Sequence, residues 1–339
     1  MKRLAPLVLF FTLLVRRCYW AMLLIRWVHR SESLRFLRRP IEICFDPNSI
    51  RRHCSFGIPT KYVLVTGKLG EQMRVNLGDH IGWNIFLNGY FDLAPVLIGL
   101  VLHRENKQGI YVDVGANIGD TSIGLAIRGV STIGIDASAM ALSELCHNIA
   151  LNSPIPYTVV HAAVAAAAIT RTGDHASDFI ELHVPMGNTG AASVFSGWNP
   201  SLTFNQSFLA YPRSVTDILD SLSVDSLCLI KLDIEGAEHS ALRGMTRTLE
   251  QQRCPVLFEY RVEHHEIAGA ETSSLVDLLP NGYTCFAVNC NHITDTSANL
   301  KLLPFDRTCS YENVLGVYQE LPPPLVQAES SSGIEVCFD

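Results

Sequence analysis

A glycine-rich turn between an apolar run and a helical pattern constrains this chain more than any other feature. Ile110–Val114 is a short apolar run that leads at once into Asp113-Val-Gly-Ala-Asn-Ile-Gly119-Asp120, and Thr121–Arg128 then reads as a helix. Gly115 and Gly119 permit a tight turn and a close approach of backbone to a ligand, with Ala116 and Asn117 between them. Ligands of open α/β sheets bind outside the carboxyl ends of the strands, where such a loop lies. The spacing is G-x-N-x-G and not the G-x-G-x-x-G of dinucleotide folds. The alternative for the loop taken alone is an ordinary strand–turn–helix with an aspartate that caps the helix.

The rhythm around the loop repeats. Thr132–Ala137, Tyr157–Val164, Ser226–Asp233, Pro255–Tyr260, Tyr283–Val288 and Val314–Tyr318 read as strands. Ala139–Leu151, Glu235–Gln252 and Ser273–Leu279 read as helices. Strands alternating with helices predict βαβ units and a mostly parallel sheet covered on both faces. Residues 170–213 break the pattern with Gly, Ser, Asn and Thr around one strand candidate, Ile180–Val184. Residues 40–108 form a lead-in. Turn-formers (Pro47, Asn48, Gly57, Pro59) give way to a strand at Lys61–Thr66 and a helical stretch, Ile81–Leu102, interrupted by Gly89 and Pro95. The tail, 321–339, is expected to be disordered.

Charge is divided unevenly. Residues 1–39 hold nine Lys/Arg and one acid, Glu32, for +8; subtracted from the total of −7, this leaves −15 on the remainder. An acidic body repels phosphates, so nucleic acid is excluded as a partner. Leu4–Val15 is uncharged, Arg16 and Arg17 end it, and Cys18–Ile25 is apolar again. Twelve helical residues reach only ~18 Å, short of the ~30 Å hydrocarbon core. The segment 1–39 is expected to contact a membrane as a signal anchor or interfacial element. A secretory signal, a mitochondrial presequence and an apolar helix docked on the domain are the alternatives. Ten cysteines occur without a C-x-x-C pair, so no metal site is expected. Cys146 and Cys228 read as small core residues, and Cys285, Cys290 and Cys309 leave a disulfide open.

Carboxylates gather at the strand ends. Asp136 closes the strand after the glycine loop, where an acid is placed to hydrogen-bond a ribose diol or to cap the next helix. Ile230-Lys-Leu-Asp-Ile-Glu-Gly-Ala-Glu238 carries Lys231 and Asp233 at the end of an apolar strand. Glu235 and Glu238 are three apart, share a helix face and suit a first turn. Asp233 suits a general base on a hydroxyl or a metal ligand. A sulfonium cofactor has no phosphate and carries an ammonium, which the Asp113 carboxylate would suit. His264 follows the strand that ends near Glu259, as a second candidate base or an exposed loop histidine.

The trio DVGANIGD, IKLDIEGAE and PVLFE, in that order, resembles the FkbM family of methyltransferases over Gly109–Tyr260. Val215-Thr-Asp-Ile-Leu219, with Asp217, and the GNTGAASVF stretch, with Asn188 and Ser193, resemble the family's intervening segments. The resemblance implies a Rossmann-like class I methyltransferase sheet of seven strands in a domain spanning 109–320. It also implies binding of S-adenosylmethionine and methylation of a hydroxyl on a carbohydrate or other small molecule. Ile135-Asp-Ala-Ser138 departs from the family's Glu-Pro, so Asp136 keeps the carboxylate on a shorter side chain. The expected cofactor-binding residues are then Asp113, Gly115, Ala116, Asn117, Gly119, Asp136 and Glu235, and the expected catalytic residues are Asp233, Lys231 and His264. An NAD(P)-dependent oxidoreductase is disfavoured by the missing third glycine and the missing Tyr-x-x-x-Lys. A catalytically inactive, membrane-associated binding protein on the same fold is the remaining rival.

Overall fold

The computed structural model describes residues 19–47, 61–166, 179–185, 188–195, 204–262, 275–330 and 332–338. Strands are β1 (Tyr62–Thr66), β2 (Gln72–Asn76), β3 (Ile110–Val114), β4 (Thr132–Asp136), β5 (Tyr157–His161), β6 (Ile180–Pro185) and β7 (Phe204–Ala210). They continue with β8 (Leu227–Leu232), β9 (Val256–Tyr260), β10 (Tyr283–Asn291), β11 (Ser297–Pro304), β12 (Tyr311–Tyr318) and β13 (Ile334–Cys337). The main helices are α1 (Tyr19–Arg30), α2 (Arg38–Phe45), α3 (His80–Asn88), α4 (Ala94–Glu105), α5 (Ala139–Asn152), α6 (Val215–Ser221) and α7 (Glu238–Gln252).

Among the described residues the central sheet has nine strands, in the order β13-β11-β10-β12-β9-β8-β3-β4-β5. The run β9-β8-β3-β4-β5 is parallel. From β9 outward, β12, β10, β11 and β13 pair antiparallel in turn. The sheet is therefore the expected seven-stranded one with two strands added at one edge, and the fold is α/β with a mixed sheet.

Side-chain alternation sorts the core into two faces. Val112, Val114, Ile230 and Leu232 pack on one side with Leu242 and Met245 of α7. Tyr111 and Leu229 pack on the other with Leu97 and Val101 of α4. Asp113 and Lys231 share parity with Tyr111 and Leu229, so they lie on the α4 side. A third cluster joins the lead-in to the loop: Val63, Val65, Trp83 and Phe86 pack with Ala116, Ile118 and Leu145.

Several expectations change in detail. The helical stretch at 81–102 is two helices, because Gly89 ends α3 at φ 86° and Pro95 starts α4. Thr121–Arg128 shrinks to one turn, Ile123–Ala126. The helix expected from Glu235 begins at Glu238, since Glu235 and Gly236 take φ 53° and 98°. Ser273–Leu279 is a short 3-10 turn, Leu275–Leu278, within the described residues. The tail is ordered and not disordered: Leu325, Ala328, Val336 and Phe338 are buried, and β13 pairs with β11. Cys146 is exposed, correcting its core assignment, while Cys228 is buried, and Cys285, Cys290 and Cys309 are free thiols. The apolar stretch Leu4–Val15 with Arg16 and Arg17 lies outside the described residues. Among the described residues no helix is long and apolar enough to cross a membrane.

Candidate active site

The carboxyl ends of β3, β4 and β8 open into a cleft of about 550 Å³, mouth included. Gly115, Asn117, Asp136 and Asp233 line it, and Thr189–Gly190 and Val194 wall it from the irregular stretch. The expected loop, the expected ribose acid and the expected base thus meet at one site.

Gly115 makes the loop possible. Its φ is 84°, and a Cβ there would run into the carbonyl oxygen of Asp233. Its amide and that of Ala116 donate to the Ile135 carbonyl at 2.9 and 3.1 Å, which fastens the loop to β4. Ala116 is fully buried and serves this anchorage. Gly119 takes φ 91°, and its carbonyl accepts from Ile123 N at 2.9 Å to start the helical turn. Asn117 sits at φ 45° and is 8% exposed; among the described residues its side-chain Oδ1 and Nδ2 have no hydrogen-bond partner. Buried amides are normally paired, so this one is kept at a cost inside the cleft.

Asp136 is already engaged. Its Oδ2 accepts from Asn117 N at 2.8 Å and its Oδ1 from Ser138 N at 2.7 Å. Each oxygen retains a lone pair for a cleft ligand. Burial raises its pKa above the ordinary aspartate value, against the pull of those two amides.

Two of the expected site residues, Asp113 and Lys231, are buried and absent from the described lining of the cleft. Asp113 does not face the cleft: it is 0% exposed, its Oδ1 takes Lys231 Nζ at 3.0 Å, and its Oδ2 accepts from Thr121 Oγ1 at 2.9 Å. Lys231 is 4% exposed and also donates to the Gly115 carbonyl at 3.3 Å, while its Nζ lies 3.4 Å from Asp233 Oδ2. The reason is register, since Asp113 and Lys231 are partners on adjacent parallel strands and project side by side. Lys231 accordingly bridges the loop carbonyl and the Asp233 carboxylate. Burial pulls its pKa down, but Asp113, Asp233 and Asp120 outweigh this and keep it above the ordinary lysine value.

Asp233 leaves the end of β8 with its amide bonded to Val114 O at 3.0 Å and its side chain 46% exposed. Around it lies a set of hindered acids. Asp120 is pushed up to about 7 by burial, with Lys231 opposing and Asp113 reinforcing. Glu259 is likewise raised to about 7 by burial and Asp233, although Arg261 Nε bonds its Oε1 at 2.7 Å. Its Oε2 is buried without a partner among the described residues. Glu238, raised to about 8 by burial and Glu259, accepts from Ile234 N and Gly236 N at 2.9 Å each, so it ties the turn after β8 together. Glu235, expected at the cofactor, is absent from the described lining of the cleft. Its carboxyl is raised well above the ordinary value by burial and by Asp233, Glu259 and Glu238. His264 lies outside the described residues. Among the described residues no cluster of His, Cys, Asp and Glu has the geometry of a metal site.

Sequence reasoning missed three contributors. Asp79 is buried, caps α3 through Ile81 N at 3.0 Å and takes Thr189 N at 2.8 Å, which joins the lead-in to the cleft wall. Asp92 takes Ala94 N at 2.9 Å and Asn313 Nδ2 at 2.7 Å; burial raises its pKa, and Asp233 adds to the rise. Asp120 was visible as the last residue of the motif, but its nearness to Lys231 depends on the fold. Ser193, noted in the irregular stretch, is fully buried and donates from Oγ to the Glu235 carbonyl at 2.7 Å.

Comparison with known proteins places these features. No curated protein sequence matches the chain. Among solved structures, methyltransferase FkbM from Methylobacillus flagellatus KT is 20% identical, with a TM-score of 0.34, over 62% of this chain and 43% of that one. WbdD is 13% identical, with a TM-score of 0.37, over 68% of this chain and 41% of that one. An O-methyltransferase from Bacillus cereus, solved in complex with SAH, is 10% identical, with a TM-score of 0.33, over 67% of this chain and 82% of that one. The match spans less than half the length of the first two. The profile described as "Methyltransferase FkbM domain" matches residues 113–285. That range covers just over half of the chain and takes in the glycine loop, Asp136, the Lys231–Asp233 strand end and Glu259, so the chain belongs to the FkbM methyltransferase family.

Proposed function

We propose that the chain methylates a hydroxyl oxygen of a carbohydrate or other small-molecule acceptor, using S-adenosylmethionine held in the cleft. One observation carries the reading: the half-exposed carboxylate of Asp233 stands at the mouth of the cleft, braced by Lys231, beside a loop that admits no Cβ at Gly115.

The residues present suit this cofactor. The unpartnered amide of Asn117 offers a donor and an acceptor to polar atoms of a ligand, and Asp136 keeps acceptor capacity for a ribose diol. Gly115 and Asn117 bring the loop into the cleft lining, and its G-x-N-x-G form does not build a pyrophosphate cradle. When bound, S-adenosylmethionine supplies a methyl group on a cationic sulfur. Asp233 accepts the acceptor's hydroxyl proton, and Lys231 fixes the direction of its carboxylate. Asp120 and Glu259, both raised to about 7, are poised to hold a proton near neutrality. The rest of the work is positioning within a cleft walled by Thr189 and Gly190.

Calorimetric titration of the wild-type chain with S-adenosylmethionine is the first test, followed by transfer of labelled methyl to a panel of hydroxylated acceptors. Saturable binding and label on an oxygen support the proposal. Absence of binding sinks it, and binding without transfer to any hydroxyl removes the acceptor class.

A further inference from the structure

We propose that the outward face of α1 is a docking surface for an anionic lipid bilayer, which seats the protein on a membrane without crossing it. The helix has two unlike sides. Met22 is fully buried and His29 nearly so, and Leu23, Ile25 and Val28 pack partly on the cluster that contains Trp83 and Phe86. Leu24 and Trp27 are 59% and 63% exposed, and Trp20 is 77% exposed. Spacings of four and three residues set these three along one stripe. Phe36, in the 3-10 turn that follows, is 70% exposed.

Two tryptophans, a leucine and a phenylalanine on one short segment suit the boundary between headgroups and acyl chains, where an indole buries its ring and keeps its N–H wet. One face of α1 packs on the domain, so the helix lies along its surface and turns only the opposite face outward, as an interfacial element does.

Charge selects the lipid. Arg35 and Arg39 are exposed in the segment that follows α1. Residues 1–39 sum to +8 and the remainder to −15, so the basic end is drawn to anionic headgroups while the body is repelled from them. An apolar stripe rimmed by basic residues and carrying two tryptophans fits an anionic lipid layer.

Flotation of the full chain with vesicles of phosphatidylcholine, alone or mixed with phosphatidylserine, tests this. The wild type is expected to float with the mixed vesicles and to detach as salt rises. The pair Leu24→Glu and Trp27→Glu should lower the partition about tenfold or more, with an unchanged circular dichroism spectrum and melting midpoint because both side chains are exposed. Brominated lipid should quench part of the wild-type tryptophan emission, and less of it in Trp27→Phe. Three results overturn the proposal: a wild type that does not float, a double variant that floats equally well, or a variant whose only loss is self-association.

Discussion

Asp113 and Lys231 are register partners on β3 and β8, and Lys231 Nζ sits 3.0 Å from Asp113 Oδ1 with both side chains out of water. The pair fastens the glycine loop to the strand that ends in Asp233, because the same ammonium reaches the Gly115 carbonyl. Removing one member of a buried pair strands the other charge. Lys231→Met is therefore expected to cost about 3–5 kcal/mol of unfolding free energy, read from urea midpoints. Adding Asp113→Leu to that variant should restore most of the loss. If Lys231→Met unfolds at the wild-type midpoint, the pair is not what holds these strands.

Gly115→Ala should damage cofactor binding and transfer together. The new methyl would collide with the Asp233 carbonyl, at a backbone φ that L-residues avoid. A loss of at least about tenfold in S-adenosylmethionine affinity by calorimetry is expected, with transfer falling further because Asp233 must shift. Gly129→Ala is the control: it has φ 84° as well, but no neighbour within 4 Å, and it should leave binding unchanged.

Asp233→Asn keeps the shape and removes the proton acceptor. Transfer should fall by about 10²- to 10⁴-fold with cofactor affinity nearly intact. Transfer at the wild-type rate would remove Asp233 from the role of base.

Asn117 offers a test that separates binding from folding. Its buried amide lacks partners among the described residues, so the fold gains little from it there. Asn117→Gly preserves the positive φ. The melting midpoint should hold or rise, while affinity for S-adenosylmethionine drops by about 1–3 kcal/mol if the amide pairs with the cofactor. Equal affinities would place the amide outside the cofactor's reach.

Glu71 makes stability depend on pH away from the cleft. It is 7% exposed and accepts from Leu69 N at 2.9 Å, and burial pushes its carboxyl up to about 7 against those hydrogen bonds and Arg128. The folded pKa exceeds the unfolded value of about 4.3. The stabilisation from the protonated acid is thus complete below the unfolded value and is lost as pH rises to about 7. The unfolding free energy should fall through that window by at most about 1.4 kcal/mol per pH unit on this account. Glu71→Gln should remove that slope, so urea midpoints of variant and wild type diverge up to about pH 7 and then run parallel. Midpoints that stay parallel from pH 4.5 upward would mean Glu71 titrates normally.

Local signals read well in the sequence, and pairings across the chain did not. The bounds of β3, the start of α5 and the strand ending before Asp233 follow from apolar runs closed by turn or cap residues. The direction of the Asp113 side chain depends on which strand lies beside β3 and in what register, and apolar runs carry no such address. The Asp79–Thr189 contact joins residues 110 apart, with no motif at either end. By contrast, β11 was within reach, since Ala298, Leu300 and Leu302 alternate with Asn299 and Lys301. In the tail, a Pro- and Ser-rich average hid four buried side chains spaced too widely to form a pattern.

The strand at the far end of the sheet has a practical consequence for anyone handling the protein. β13 covers the Ser297–Leu300 half of β11, whose backbone would otherwise offer unpaired amides and carbonyls to any strand that met it. Cutting the tail before Ile334 would leave a sticky border on the sheet, so solubility, rather than chemistry at the distant cleft, should be the first property to fail. A purification tag belongs beyond β13 on a spacer, where the border stays shut.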